Sequence, residues 1–155
     1  MVPNKELSHK FKRILVTGGA GFIGSHLVNR LLLNTSSLIF NIDKLGYASD
    51  NSRIKKDKFQ NRYKLFQINL CNIEDVKKAV AISNPDAIIH LAAESHVDRS
   101  IKSPIDFFES NIKGTFNLLE VVRSFCDKLP SDKRKIFRFI HISTDEVYGS
   151  LGKQG

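Results

Sequence analysis

Arg13-Ile14-Leu15-Val16-Thr17 is a short apolar run that stops on Gly18-Gly19-Ala20-Gly21-Phe22-Ile23-Gly24, and apolar residues at helical spacing follow directly. Few folds accommodate that succession. Gly18, Gly21 and Gly24 fall between a buried strand and the first turn of a helix, where small residues permit a tight turn and a close approach of backbone to ligand. The amino terminus of the helix offers unpaired N–H groups and the positive end of its dipole, so the turn suits a pyrophosphate. Glycines at this spacing also serve ordinary turns; the strand before and the helix after favour a dinucleotide.

The rest of the chain keeps the alternation that this opening requires. Phe22, Ile23, Leu27 and Leu31 recur at helical spacing over 22–33, Asn34-Thr35-Ser36-Ser37 ends that element, and 38–42 reads as a second strand. Residues 44–61 form a long polar connection with room for one helical turn, and long connections often carry function. The stretch 63–68 alternates as a third strand. Asn72 is placed to cap a helix through Ser83, with Glu74 and Asp75 in its first turn, and Asn84-Pro85 breaks it. A fourth strand follows at 87–91, then a helix from Pro104 to about Asp127, then a fifth strand at 136–142. The order β-α-β-α-β-α-β-α-β, without internal repeat, predicts an α/β fold: a doubly wound, mostly parallel sheet of Rossmann type. Such a sheet holds its ligand outside the carboxyl ends of its strands.

A chain of 155 residues, 41% hydrophobic and 26% charged, suits one soluble globular domain, here a flexible extension over 1–12 and a dinucleotide domain over 13–155. Residues 1–12 resemble neither a signal peptide nor an anchor. Cys71 and Cys126 lie far apart, without CxxC spacing, which points to a reducing, cytoplasmic setting and away from a zinc site. The net charge of +8 suits an anionic partner. Its densest pieces, Lys55-Lys56-Asp57-Lys58 and Lys133-Arg134-Lys135, read as solvated loops without stacking aromatics, which argues against nucleic acid.

Asp43 ends the second strand about twenty residues beyond the turn, where a carboxylate accepts hydrogen bonds from ribose hydroxyls and repels a 2′-phosphate. NAD is therefore favoured over NADP. After the fourth strand, the small residues of Leu91-Ala92-Ala93-Glu94-Ser95 let backbone approach the cofactor, and His96 reads as a loop residue. After the fifth comes Ser143-Thr144-Asp145-Glu146-Val147-Tyr148-Gly149. Two adjacent acids at the carboxyl edge of a sheet are positioned for general acid–base work, although a surface Asp-Glu pair is more often solvated or capping.

Together TGGAGFIGSH, DKLGYASD, HLAAESHVDRSI and STDEVYG resemble the extended short-chain dehydrogenase/reductase family, and within it the dTDP-glucose 4,6-dehydratases, over nearly the whole chain from Arg13. The first motif is shared with sugar epimerases; HLAAESHVDRS and Thr-Asp-Glu are the more specific. The resemblance implies oxidation at C4 of a dTDP-hexose by bound NAD, loss of water across C5 and C6, and return of hydride to C6. It makes Glu146 the base at C5, Asp145 the acid at the C6 hydroxyl and Thr144 a partner of the C4 oxygen, with the two carboxyls in unequal environments. It places Ser95 against both cofactor and sugar. For the cofactor it implies Gly18, Gly21, Phe22, Ile23 and Gly24 at the turn and Asp43, Lys44, Leu45 and Gly46 at the ribose. It adds Asn69 and Leu70 at the adenine, Leu91, Ala92, Ala93 and Glu94 beside the nicotinamide, and Ser110 on the next helix. Asn69 stands where the family usually has Asp, though its amide oxygen still accepts from the adenine amine. Gly46 and Ser110 each replace a usual Thr.

The family's Tyr-x-x-x-Lys pair does not occur here: Tyr47, Tyr63 and Tyr148 are followed four residues on by Asn51, Gln67 and Gly152. The chain is thus expected to be an amino-terminal fragment lacking the sugar-nucleotide domain, with little or no dehydratase activity. The resemblance implies a homodimer for the complete family member, one interface helix of which this fragment would lack, and its fifth strand and Phe-bearing helix faces are expected to be uncovered. The alternatives are a non-catalytic NAD-binding module and a relative of UDP-sugar epimerases or UDP-glucose 4,6-dehydratases. Against an epimerase stands the acid pair, which epimerisation does not need.

Overall fold

The computed structural model describes residues 11–149 and 152, so most of the extension expected over 1–12 lies outside the described residues. Five strands, β1 (Arg13–Thr17), β2 (Leu38–Asp43), β3 (Tyr63–Gln67), β4 (Ala87–His90) and β5 (Arg138–His141), form one sheet in the order β3-β2-β1-β4-β5. Every pairing is parallel. The chain runs outward from β1 to β3, then returns to the other side of β1, so the switch point lies between β1 and β4.

The inner strands are apolar along their length because both faces are covered. Ile14, Val16 and Ile39 face α1 (Phe22–Asn34), meeting Val28 and Leu32. Leu15, Phe40, Ile42 and Ile88 face the other way, onto α2 (Ile73–Ser83) and α5 (Thr115–Asp127), through Val76, Val80, Leu118 and Val121. Each such side chain contributes about 1.5–3 kcal/mol when fully buried. The cap of α2 is the predicted one: Asn72 accepts from the Asp75 N–H, and Asn84 ends the helix in the left-handed region with φ 39°.

Several elements differ from the sequence pattern. The long connection between β2 and β3 holds two 3-10 turns, Asn51–Arg53 and Lys56–Lys58, where the sequence allowed one helical turn. A short α3 (Val97–Lys102) takes up most of the segment after Ser95, with His96 as its N-cap residue. The helix predicted from Pro104 begins as α4 (Pro104–Phe107), widens to a π-helical segment at Phe108–Gly114 and continues as α5. Lys133-Arg134-Lys135 belongs to α6 (Ser131–Ile136), so Ile136 is helical and β5 starts two residues later. In α1 the buried residues are Gly24, Ser25, Val28 and Leu32, whereas Phe22 and Ile23 are exposed at the helix amino terminus.

β5 lies at the sheet edge among the described residues, and Ile140 and Ile142 are exposed there. Ile105, Phe108, Ile112, Phe116 and Leu119 form an exposed apolar stripe along α4 to α5. Among the described residues, no helix is long and apolar enough to cross a membrane.

Candidate functional site

The exits of β1 to β4 surround a cleft that opens to solvent. Its floor is the glycine turn, and the three glycines have separate causes. Gly18 has φ +72°, and a Cβ there would lie 2.7 Å from the Ala92 backbone, so the approach of β1 to β4 requires glycine. A Cβ on Gly24 would collide with the Gly18 carbonyl, so this residue serves the packing of α1 on the turn and does not line the cleft. Gly21 differs. A Cβ there would meet only the Gly18 carbonyl oxygen, at 3.3 Å, and otherwise stands free at the cleft wall.

The turn uses most of its own amides. Gly18 donates to the Ile42 carbonyl, Gly21 to the Gly18 carbonyl, Gly19 to Asn41 Oδ1 and Ala20 to Asp43 Oδ2. The first helical bond of α1 is Ser25 N–H to the Gly21 carbonyl, which leaves the amides of Phe22, Ile23 and Gly24 ahead of it as helix-start donors. The side chains of Phe22 and Ile23, 70% and 66% exposed, do not line the cleft, and helix-start amides of this kind suit an anion.

Asp43 is buried at the end of β2. Oδ2 takes the Ala20 N–H, and Oδ1 takes both the Leu45 N–H and the Ser49 hydroxyl, each at 2.8 Å. A carboxylate has about four lone-pair sites, so one remains for a ligand hydroxyl. Leu45, held at φ 55°, serves through its backbone and does not line the cleft. Gly46, Asn69 and Leu70 do, joined by Ile42, Tyr47, Ser49 and Ile68, which the motifs did not single out.

On the opposite wall are Leu91, Ala92, Ala93 and Glu94. Lys44 Nζ spans the gap, donating to Glu94 Oε1 at 2.7 Å and to Ser110 Oγ at 2.9 Å. The π-helical segment that presents Ser110 also presents Asn111, whose amide accepts from the Glu94 N–H at 2.7 Å and donates to the Glu94 carbonyl at 2.9 Å. Sequence reasoning missed Asn111; an asparagine in mid-helix gives no signal of its partner. Beneath this wall, His90 is 1% exposed, between Thr17 Oγ1 at 2.6 Å and Thr115 Oγ1 at 2.9 Å. Thr17 Oγ1 also accepts from the Ala92 N–H. Burial, and secondarily the charge of His141, push the His90 pKa down to about 4, so the ring is neutral at pH 7.

Ser95, Thr144 and Asp145 are exposed and lie outside the cleft. They leave adjacent strands at the same edge, since His90 of β4 is in register with His141 of β5. Asp145 opens a 3-10 turn, Asp145–Tyr148, that includes Glu146; the Glu146 side chain, and with it the expected contrast between the two carboxyls, lies outside the described residues. Tyr47 bridges toward this side, with the Arg99 guanidinium 3.8 Å above its ring and the His96 ring 5.8 Å away. Among the described residues, no group of three or more His, Cys, Asp or Glu side chains is disposed to hold a metal.

The chain is 49% identical over 141 residues to the dTDP-glucose 4,6-dehydratase of Neisseria meningitidis serogroup B, a match covering 91% of this chain and 40% of that protein. It thus spans about 40% of the length of the curated relatives it matches. A double mutant of the dTDP-glucose 4,6-dehydratase DesIV from Streptomyces venezuelae, crystallised with NAD and DAU, superposes with a TM-score of 0.76 at 35% identity, over 91% of this chain and 42% of that one. The UDP-glucose-4-epimerase of Stenotrophomonas maltophila, with NAD and a formylated UDP-arabinopyranose, gives 0.73 at 27%, over 90% of this chain and 39% of the other. The family model described as GDP-mannose 4,6 dehydratase matches residues 15–155, and the chain belongs to that family.

Proposed function

We propose that this chain forms the NAD-binding and acid–base part of a nucleotide-sugar 4,6-dehydratase acting on dTDP-glucose. The observation that carries the cofactor assignment is Gly21 at the cleft wall, where a Cβ would meet only the Gly18 carbonyl oxygen, beside the helix-start amides of Phe22 and Ile23. The pyrophosphate would sit there, and the remaining lone pair of Asp43 would receive a ribose hydroxyl. Its charge disfavours a 2′-phosphate, hence NAD over NADP. Bound NAD supplies reversible hydride removal from the sugar carbon. Thr144 would hydrogen-bond the C4 oxygen, Asp145 would protonate the departing C6 hydroxyl and Glu146 would take the C5 proton, and Ser95, after β4, would touch the sugar. Asn111 and the Thr17-His90 pair hold the backbone of the β4 exit in place.

UDP-glucose 4-epimerases also stand among the fold neighbours; the acid pair after β5 supports water loss over epimerisation. Because these 155 residues contain no Tyr-x-x-x-Lys, the chain alone is expected to bind NAD without turning over dTDP-glucose. Thermal-shift titration tests this: NAD at a hundred times its Kd adds about 2.7 kcal/mol of stability, and NADP at the same concentration much less. Absence of any NAD-dependent stabilisation at millimolar ligand contradicts the proposal, as does formation of a 4-keto sugar by the purified chain. In an enzyme carrying the remaining sugar-binding part, Glu146→Gln is expected to abolish elimination, and undiminished product would sink that assignment.

A further inference from the structure

Gly19, unlike Gly18 and Gly21, does not line the cleft. Its Cβ position is taken by the side-chain amide of Asn41, which comes from β2 and is fully buried. The Gly19 N–H can only donate, so it fixes Oδ1 of Asn41 toward the turn, at 2.9 Å, and Nδ2 away from it. Nδ2 donates to the Tyr63 hydroxyl at 3.1 Å, and that hydroxyl donates in turn to Asn51 Oδ1 at 3.3 Å. Asn51 starts the first 3-10 turn, and the residue before it, Asp50, donates its N–H back to the Ala20 carbonyl at 2.8 Å. A ring of hydrogen bonds therefore joins Gly19, Asn41, Tyr63, the 50–51 corner and Ala20. Burial raises the Tyr63 pKa, so its hydroxyl keeps the proton that the ring needs.

We propose that Asn41 and Tyr63 are positioning residues of the nucleotide-binding turn: they hold the Gly19 amide inward, so that the first-turn amides of α1 are the ones presented to a dinucleotide pyrophosphate. This rests on the dinucleotide reading above. Without the Tyr63 hydroxyl, Nδ2 of Asn41 loses its acceptor, the side chain is anchored only through the Gly19 N–H and the turn it supports loosens. The ligand hydrogen bonds themselves remain.

Tyr63→Phe deletes one hydroxyl at nearly constant shape, and Asn41→Leu removes the Gly19 acceptor itself. Wild-type and variant chains are titrated with ADP-ribose, which carries the pyrophosphate, and with adenosine, which does not. Tyr63→Phe is expected to weaken ADP-ribose by about three- to tenfold and to leave adenosine unchanged to within about twofold. Asn41→Leu acts in the same direction and more strongly; should it fail to fold, Tyr63→Phe decides alone. Equal weakening of both ligands, or of neither, overturns the positioning role while the dinucleotide reading stands. Failure of the wild-type chain to bind ADP-ribose overturns both.

Discussion

Replacing Gly21 by alanine separates two tasks of the turn. Gly21 holds φ −69° and ψ 176°, a conformation open to any L-residue, and the added methyl would meet only the Gly18 carbonyl oxygen, at 3.3 Å. Restricting the unfolded chain adds about 0.4–1 kcal/mol of stability, while the poorer fit of alanine at an N-cap and the tight contact with the Gly18 carbonyl oxygen remove that amount or somewhat more, so the ligand-free melting temperature falls by a few degrees at most. Binding behaves differently. The methyl stands where a pyrophosphate oxygen would reach the Phe22 and Ile23 amides, and loss of one charge-assisted hydrogen bond, about 1.5–3 kcal/mol, weakens NAD by about ten- to a hundredfold. At NAD a hundred times the wild-type Kd, the stabilisation therefore falls from about 2.7 to about 1.4 kcal/mol or less. Gly24→Ala gives the opposite result, because its Cβ would strike the Gly18 carbonyl: a lowered melting temperature without ligand. Thermal denaturation of the three proteins across an NAD series separates the cases. A Gly21→Ala chain that binds NAD like the wild type refutes the placement of the ligand against this turn.

Two further outcomes test the framework around the cleft. His90 has its pKa pushed down to about 4 by burial and by His141, so the unfolded chain binds the proton first; stability is intact above about pH 6.5 and declines as pH falls toward 4. Urea unfolding should show about 2 kcal/mol lost between pH 7 and pH 5 that His90→Asn does not lose, and parallel pH profiles for the two proteins would contradict the assignment. Asn117, buried in α5, donates to both the Leu70 and Cys71 carbonyls at 3.0 Å. Asn117→Leu leaves both acceptors without their donor and is expected to cost about 1–3 kcal/mol, read as a lower urea midpoint at unchanged slope.

The sheet was legible in the sequence because its signals are local and cumulative. Apolar runs bounded by Gly, Asn and Pro located the strands, and Asn72 and Asn84-Pro85 bracketed α2. Where local signal is weak, the structure departs from it. Residues 97–102 carry charges and two apolar side chains, Val97 and Ile101, that remain exposed, so no buried stripe announced α3. The π-helical segment is equally silent, since it needs a partner, here Glu94, to reward the widened turn. Phe22 and Ile23 misled for the opposite reason: they look like core residues, yet they sit at a helix terminus aimed at the cleft, and the buried face is set by Gly24, Ser25, Val28 and Leu32.

The candidate site divides along the same line. Backbone functions are written as glycines and small residues, so the spacing of Gly18 and Gly21 and the small side chain of Ala92 pointed to close backbone approach, and a Cβ on Gly18 would indeed strike Ala92. Side-chain functions depend on what lies across the sheet. Asp43 could be read as a ligand to ribose, but the sequence does not say that three protein donors already occupy its carboxylate, and this makes it the fastener between the glycine turn and the connection after β2 as well. Asn41 lies two residues earlier on the same face of β2 and fastens the same turn at Gly19. Alternate residues of one strand thus immobilise consecutive amides of one turn, and a parallel neighbour in fixed register is what permits it, since Val16 and Thr17 of β1 stand beside Asn41 and Ile42. A register shift of one residue would turn both side chains to the opposite face and free both amides, so the strand pairing is itself a condition for presenting the helix start to an anion.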